Sequence, residues 1–321
     1  MFRIALALFG AVFAASLPVA AQQNPSFDAD RRPITILVGF APGGSEDVRA
    51  RALATQLSEV LGGRSVLVVN RSGAAGTLML SQLAKSKPDG LTIGSMTASS
   101  LIYAAKTLKP DFSTSDFSYL AGAASQPYCI CVSQDAPWKT LDELVAYAKA
   151  NPGKVSYAHP GIGHFSNVII EVIAKKAGVK LNAVPFRGDS DSINAILGGH
   201  VDVASLASTF VPFAKSGKVR VLALLNEQRL AQFPNAPTIG ELGFPISMKS
   251  ASLLGYGAPK GLPADVQAGL EKALEKAIKS PEFKASLERL DNSVDYRTSA
   301  QFVLEVGETK VSAEQMIKEI E

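Results

Sequence analysis

The chain has 321 residues, a formal net charge of +3 and only 19% charged side chains, with no dense Lys/Arg block, which argues against nucleic acid as a partner. Hydrophobic residues make up 47%. A chain longer than the roughly 250–300 residues at which one core stops growing is expected to divide into two domains.

The first 21 residues read as a secretory signal, with Arg3 ahead of an apolar run and small residues Val19 and Ala21 at the expected cleavage site. The mature chain is then expected to begin near Gln22, as an exported protein. No later stretch reaches the roughly 18–20 continuous apolar residues of a membrane span.

From there, short apolar runs alternate with helical patterns, which argues for α/β layers with largely parallel strands. The run I-T-I-L-V-G-F is the first predicted strand, and the helix after it carries Val48, Leu53, Leu57 and Leu61 on one side and stops at Gly62 and Gly63. Between them lies A-P-G-G-S-E-D, residues 41–47. A helix N-terminus leaves amide groups without intrahelical partners and carries partial positive charge, so such a turn binds an anion with no lysine present. Asp47 is expected to cap the helix. The phosphate-binding pattern G-x-x-x-x-G-K-[ST] is absent.

The run V-L-V-V-N is the second strand, followed by R-S-G-A-A-G, a helix to about Lys87, and the turn P-D-G ahead of L-T-I-G-S-M. Cys129 and Cys131 share one face of a strand and read as two small core side chains. Thr140 and Glu143 form a capping box ahead of the next helix. Then V-S-Y-A-H-P runs into a second glycine turn, G-I-G-H-F-S-N, and into a helix closed by Gly178. Gly161 and Gly163 stand as in a dinucleotide fingerprint, but Ser166 replaces its third glycine and the following acidic residue is missing, so no cofactor is expected. The nucleophile elbow G-x-S-x-G does not occur. His159, His164 and His200 as a zinc trio rank below packing roles in loops. Further strands are predicted at 201–206, 219–225 and 253–259, and Pro263 opens a long amphipathic helix.

Magnitudes favour using both glycine turns together. A hydrogen bond to a charged group contributes about 1.5–3 kcal/mol, whereas association costs roughly 4–15 kcal/mol before any surplus appears. Two turns closing from two lobes can reach the approximately 8 kcal/mol of a micromolar site.

The stretches F-A-P-G-G-S-E-D-V-R-A-R-A-L-A, V-V-N-R-S-G-A-A-G, K-P-D-G-L-T-I-G, V-P-F-R-G, F-P-N-A-P-T-I-G-E-L-G and Y-G-A-P-K-G-L-P, in this order and spacing, resemble the Bug family. Its members are periplasmic solute-binding components of tripartite tricarboxylate transporters. The resemblance spans the mature chain and implies an α/β, two-lobed periplasmic-binding-protein (Venus flytrap) fold, each lobe a mainly parallel sheet flanked by helices. Residues 22–124 plus 251–321 would form lobe one and 125–250 lobe two. It also implies a small organic-acid ligand, a membrane transporter as partner, and a monomer. Carried over by position, Ala41, Gly43, Gly44, Ser45 and Asp47 belong to the first turn, Gly161, Gly163 and Ser166 to the second, and Arg187, Gly188 and Asp189 line the far side.

Several positions depart from the family pattern. Glu46 stands where Thr is common, His164 and Phe165 replace small hydroxyl residues, and Asp189 and Asp191 replace small or apolar ones. A carboxylate beside a bound carboxylate repels it or acquires a raised pKa. The ligand is therefore expected to carry a positive centre or hydrogen-bond donors beside its acid group, as an amino acid or pyridine carboxylate does, with Phe165 as a stacking surface. The alternative is that these acids only favour helix N-termini and face water. Arg187 is expected either at the ligand or in a rim salt bridge with Asp189. A periplasmic enzyme using Asp47, Glu46 or His164 as a base, and a ligand-presenting sensor, are the competing functions.

Overall fold

The computed structural model describes residues 27, 30–244 and 253–320. The expected signal segment, 1–21, lies outside the described residues. Strands β1 (Ile34–Val38), β2 (Val66–Asn70), β3 (Thr92–Thr97) and β4 (Phe117–Ser125) alternate with helices α1 (Ser45–Val60), α2 (Thr77–Ala84) and the short α3 (Ala104–Leu108). A single π-helical turn, Ser99–Tyr103, joins β3 to α3. The chain then crosses to a second sheet, with β5 (Cys129–Ser133), α4 (Leu141–Ala150), β6 (Ser156–His159), α5 (Phe165–Ala177), β7 (Asn182–Pro185), α6 (Asp189–Leu197), β8 (Val203–Leu206), α7 (Phe210–Lys215) and β9 (Val219–Leu224). It returns with β10 (Leu254–Pro259), α8 (Ala264–Ile278), α9 (Pro281–Glu288), β11 (Ser293–Thr298) and α10 (Ser299–Lys318).

Among the described residues one sheet runs β11-β4-β10-β3-β1-β2 and the other β7-β6-β8-β5-β9. In the second, β6, β7 and β8 are parallel and β5 pairs antiparallel with both β8 and β9, so every strand but β5 points one way. The first repeats this plan: β1, β2 and β3 are parallel, and β10 lies antiparallel between β3 and β4. The mainly parallel direction expected from the sequence therefore holds, with one reversed strand inside each sheet. In both sheets the reversed strand is the one that enters from the other lobe. β11 adds an antiparallel edge to β4.

The inner strands of each sheet are buried on both faces, which is why they read as nearly unbroken apolar runs. Ile34, Ile36 and Val38 of β1 join Leu53 and Leu57 of α1 and Leu270 and Leu274 of α8, while Leu37 faces the opposite core. In β5, Cys129 and Cys131 pack with Ile193 and Ile196 of α6, and Ile130 and Val132 face the other way. Both cysteines are buried and free, the packing role expected of them. One cluster joins the lobes: Phe165 of α5 meets Tyr103 edge-on at 5.5 Å and Tyr128 at 5.1 Å. The Thr140 hydroxyl accepts the Glu143 amide as expected, but the Glu143 carboxylate reaches back to the Lys139 amide and not to that of Thr140.

Candidate functional site

The first glycine turn connects β1 to α1. Gly43 takes a left-handed φ of 78°, which favours glycine, and Gly44 is the N-cap residue. Asp47 was expected to cap the helix, but its carboxylate braces the turn from behind. Its Oδ2 accepts the Gly43 amide and Arg51 Nε, each at 2.9 Å, and its Oδ1 accepts Asn70 Nδ2 at 2.9 Å. Burial alone would raise its pKa; the bonds from Arg51, Gly43 and Asn70 outweigh that and hold it below the usual carboxylate range. Glu46 is buried and paired with the fully buried Arg49, so its charge is neutralised at the site. Arg49 also donates to Gln126 Oε1 at 3.2 Å, and Gln126 Nε2 donates to the Tyr128 hydroxyl at 2.9 Å. The first turn is thereby tied to the segment where the chain crosses between lobes.

The second turn differs from its expected role. Its amides are mostly occupied by nearby side chains: Gly161 N–H donates to His159 Nδ1 at 3.2 Å, Gly163 to Asn167 Oδ1 at 3.0 Å, and Ser166 to His164 Nδ1 at 3.0 Å. The Phe165 amide donates to Ser99 Oγ of the other lobe at 3.3 Å. The glycines serve contact between lobes. A Cβ on Gly161, where φ is 127°, would lie 2.8 Å from the Ala75 nitrogen, and one on Gly163 would lie 2.9 Å from the Thr107 Cβ. Phe165 is fully buried in the interlobe cluster, so it offers a ligand no stacking face. Ser166 is also fully buried, its hydroxyl without a hydrogen-bond partner. With Nδ1 of His164 accepting the Ser166 amide, the neutral ring carries its proton on Nε2. Burial pushes the His164 pKa down to about 3, so the ring stays neutral near pH 7.

The surface that meets the first turn across the cleft is the start of α6. Ala41 N–H donates to the Arg187 carbonyl at 3.2 Å, and Ser45 Oγ donates to Asp189 Oδ2 at 3.3 Å. Gly188 permits this approach, since a Cβ there would lie 3.1 Å from the Ala41 nitrogen. Asp189 Oδ2 also accepts the Ala207 amide at 3.2 Å, while the buried Oδ1 has no partner. Burial pushes the Asp189 pKa up to about 7, against the two hydrogen bonds that lower it, and the nearby Glu46 adds to the rise. The Arg187 guanidinium takes neither expected place: it pairs with Asp191 at 2.8 Å, with its side chain 75% exposed.

Between these elements lies a cavity of about 20 Å³, lined by Gly44, Ser45, Glu46, Tyr128, His164 and Asp189 among others. That is space for roughly one water, so an organic acid fits only when the lobes stand further apart. The N-termini of α1, α5 and α6 converge here, and their dipoles favour negative charge. The lining also includes Phe40, Thr97, Ser99, Gln126 and Ala207, none of which the turn motifs indicated. Thr97 and Ala207 follow the rule that α/β ligands sit beyond the carboxyl ends of strands; that rule was available from sequence. A larger space of about 460 Å³ opens outside, between Ala74 and the Ile162, Phe186 and Arg187 side.

Two lobes whose helix N-termini meet over an interlobe cavity define the class of solute-binding proteins. The chain belongs to the tripartite tricarboxylate transporter family of receptors, which it matches over residues 49–321. It is 34% identical over 307 residues to the UPF0065 protein in the gbd 5′ region of Cupriavidus necator, covering 95% of this chain and 92% of that one. The structure of the periplasmic binding protein BugD superposes with a TM-score of 0.81 at 29% identity, covering 90% of this chain and 97% of BugD. MatC from Rhodopseudomonas palustris with bound malate gives 0.81 at 25% identity, covering 90% of this chain and 99% of MatC. The family is one of receptors, not an enzyme class. No helix among the described residues is long and apolar enough to cross a membrane.

Proposed function

We propose that the mature chain works in the periplasm, exported by its N-terminal signal, and captures a small carboxylate-containing acid between its lobes. The acid bears a protonated nitrogen or a strong hydrogen-bond donor, as in an amino acid or pyridine carboxylate. The observation that carries this reading is the Asp189 carboxylate, buried beside three converging helix N-termini with one oxygen unpartnered. The helix ends favour an anion, and Asp189 Oδ1, ionised when a positive centre lies beside it, favours a donor, so one ligand with both groups satisfies both. His164 Nε2–H supplies a further donor for the acid group, and Phe40 and Tyr128 supply the aromatic walls assigned from sequence to Phe165. The likeness to BugD and to malate-bound MatC supports the carboxylate part of this reading.

Capture shifts the population toward a closed state that a membrane transporter of the tripartite tricarboxylate type recognises, with the chain acting as a monomer. A lobe limit near residue 124 is the reading in which the crossing between β4 and β5 acts as a hinge. A thermal-shift panel of plain dicarboxylates, tricarboxylates, amino acids and aromatic acids tests the ligand class. A ligand at a hundredfold excess over Kd adds roughly 2.7 kcal/mol of stability. Stabilisation by amino acids or pyridine carboxylates is expected; a response to plain dicarboxylates alone would refute the assignment of Asp189. Turnover of a hit by purified protein would instead establish the periplasmic enzyme, for which Asp189 and His164 supply titratable groups in one cavity.

A further inference from the structure

Lobe one holds a second cavity, separate from the cleft, between the π-helical turn, α3, the loop before β4 and the C-terminal half of α10. Its volume is about 170 Å³. Native cores contain few voids larger than a water, and an engineered apolar cavity of roughly 150 Å³ takes up benzene. The floor is apolar, made by Leu101, Ile102, Ala105, Phe112, Ala313 and Ile317. Leu101 and Ala313 are fully buried in the core, so the cavity reaches inward and is not a surface dimple.

The lining also carries Ser113, Thr114 and three charged residues. Lys106 of α3 and Lys310 of α10 both line the space and are exposed, and neither forms an ion pair with a described residue. Glu314 is the only carboxylate in the lining and is also unpaired among the described residues. Other surface lysines nearby do find partners, Lys85 with Asp111 and Lys176 with Glu319. Two cations against one carboxylate leave the lining positive above an apolar floor, which suits an anion with a compact apolar body.

We infer that this cavity is a second binding site, for a small monocarboxylate with an aromatic or branched aliphatic body. The body rests on Phe112, Ala313 and Ile317, and the carboxylate meets Lys106 and Lys310. Such a site stands whether or not the cleft binds an anion.

Benzoate is the probe, with binding to the intact protein followed by calorimetry and by saturation-transfer NMR. Gly44→Val, which blocks the cleft, is expected to leave one benzoate site intact. The double charge reversal Lys106→Glu with Lys310→Glu lies on exposed positions and is expected to weaken that site about tenfold. Ala313→Phe fills the cavity and is expected to abolish it; if that variant does not fold, the lysine pair decides. No binding of benzoate to the wild type overturns the proposal, as does binding lost in Gly44→Val and kept in the lysine variant. Equal affinity for benzyl alcohol and benzoate would show an apolar void without acid recognition, and that result overturns it too.

Discussion

Asp189 and Glu46 both look from the sequence like acids placed against a bound acid, yet the structure gives them opposite circumstances. Glu46 has a buried guanidinium beside it, and Asp189 has only two neutral donors. With its pKa raised to about 7, Asp189 keeps a proton in the folded chain that the unfolded chain releases from about pH 4. Its contribution to stability is thus full below about pH 4 and is lost as pH rises toward 7. His164 acts in the opposite sense: its pKa is lowered to about 3, so its contribution is lost as pH falls from about 6.5 toward 3. The two oppose each other over part of the acid range, so the difference between variants is the informative quantity. The melting temperature of Asp189→Asn relative to wild type is expected to climb between about pH 4 and pH 7 and to level off above that; a constant difference would show that the carboxylate is ordinary. Arg49→Met would leave Glu46 buried and uncompensated, at a cost of roughly 3–5 kcal/mol in urea unfolding. Adding Glu46→Gln to that variant is expected to recover much of the loss.

The element scale separates what chain pattern reveals from what packing imposes. The strand-turn-helix units around 34–61 and 156–178 are legible because apolar periodicity, a glycine stop and a glycine turn agree. α6 is legible only as the alternative in which Asp189 and Asp191 favour a helix N-terminus, since its first turn is D-S-D-S and it forms through burial of Ile193 and Ile196 against the second sheet. β11, S-V-D-Y-R-T, escaped as a polar edge strand whose partner is far along the chain in β4. The glycines of the second turn were legible as glycines, but their purpose was not. They clear space for lobe one, and their amides are satisfied at home. Gly161→Ala is therefore expected to hold the lobes apart: small-angle scattering should report a larger radius of gyration at unchanged circular dichroism. An unaltered radius together with full ligand affinity would show that Ala75 and its loop yield.

For the whole molecule, closure rests on a few contacts spread over the interface. They include the Ala41–Arg187 and Phe165–Ser99 hydrogen bonds, the Ser45–Asp189 bond, the exposed Gln232–Asp291 hydrogen bond at 2.5 Å, the Lys176–Glu319 ion pair at 2.8 Å and the rings around Phe165. The exposed ion pair contributes at most about 1 kcal/mol, which leaves the rings and the turn contacts to decide the opening equilibrium. Gly44→Val tests this directly. A Cβ at Gly44 would sit in contact with the Ala41 carbonyl oxygen of its own lobe at 3.4 Å and 3.9 Å from the Ser190 nitrogen across the cleft, so the two valine methyls beyond it wedge the cleft. The variant is expected to fold with near wild-type stability and to lose ligand-induced compaction; compaction equal to wild type would remove the first turn from the clamp.

By itself the sequence determined the strand-turn-helix units around the two glycine turns and the acidic residues to watch, because these depend on local backbone preference and on apolar period, while the two-lobed class followed from the family resemblance. Only the tertiary structure decided that α6 faces the first turn, that Arg49 quenches Glu46, that Phe165 is sealed inside the interface and that one Asp189 oxygen lacks a partner. Ser45 and Asp189 are 144 residues apart, and whether they touch depends on how two sheets are set against each other, a geometry that no periodicity along the chain encodes.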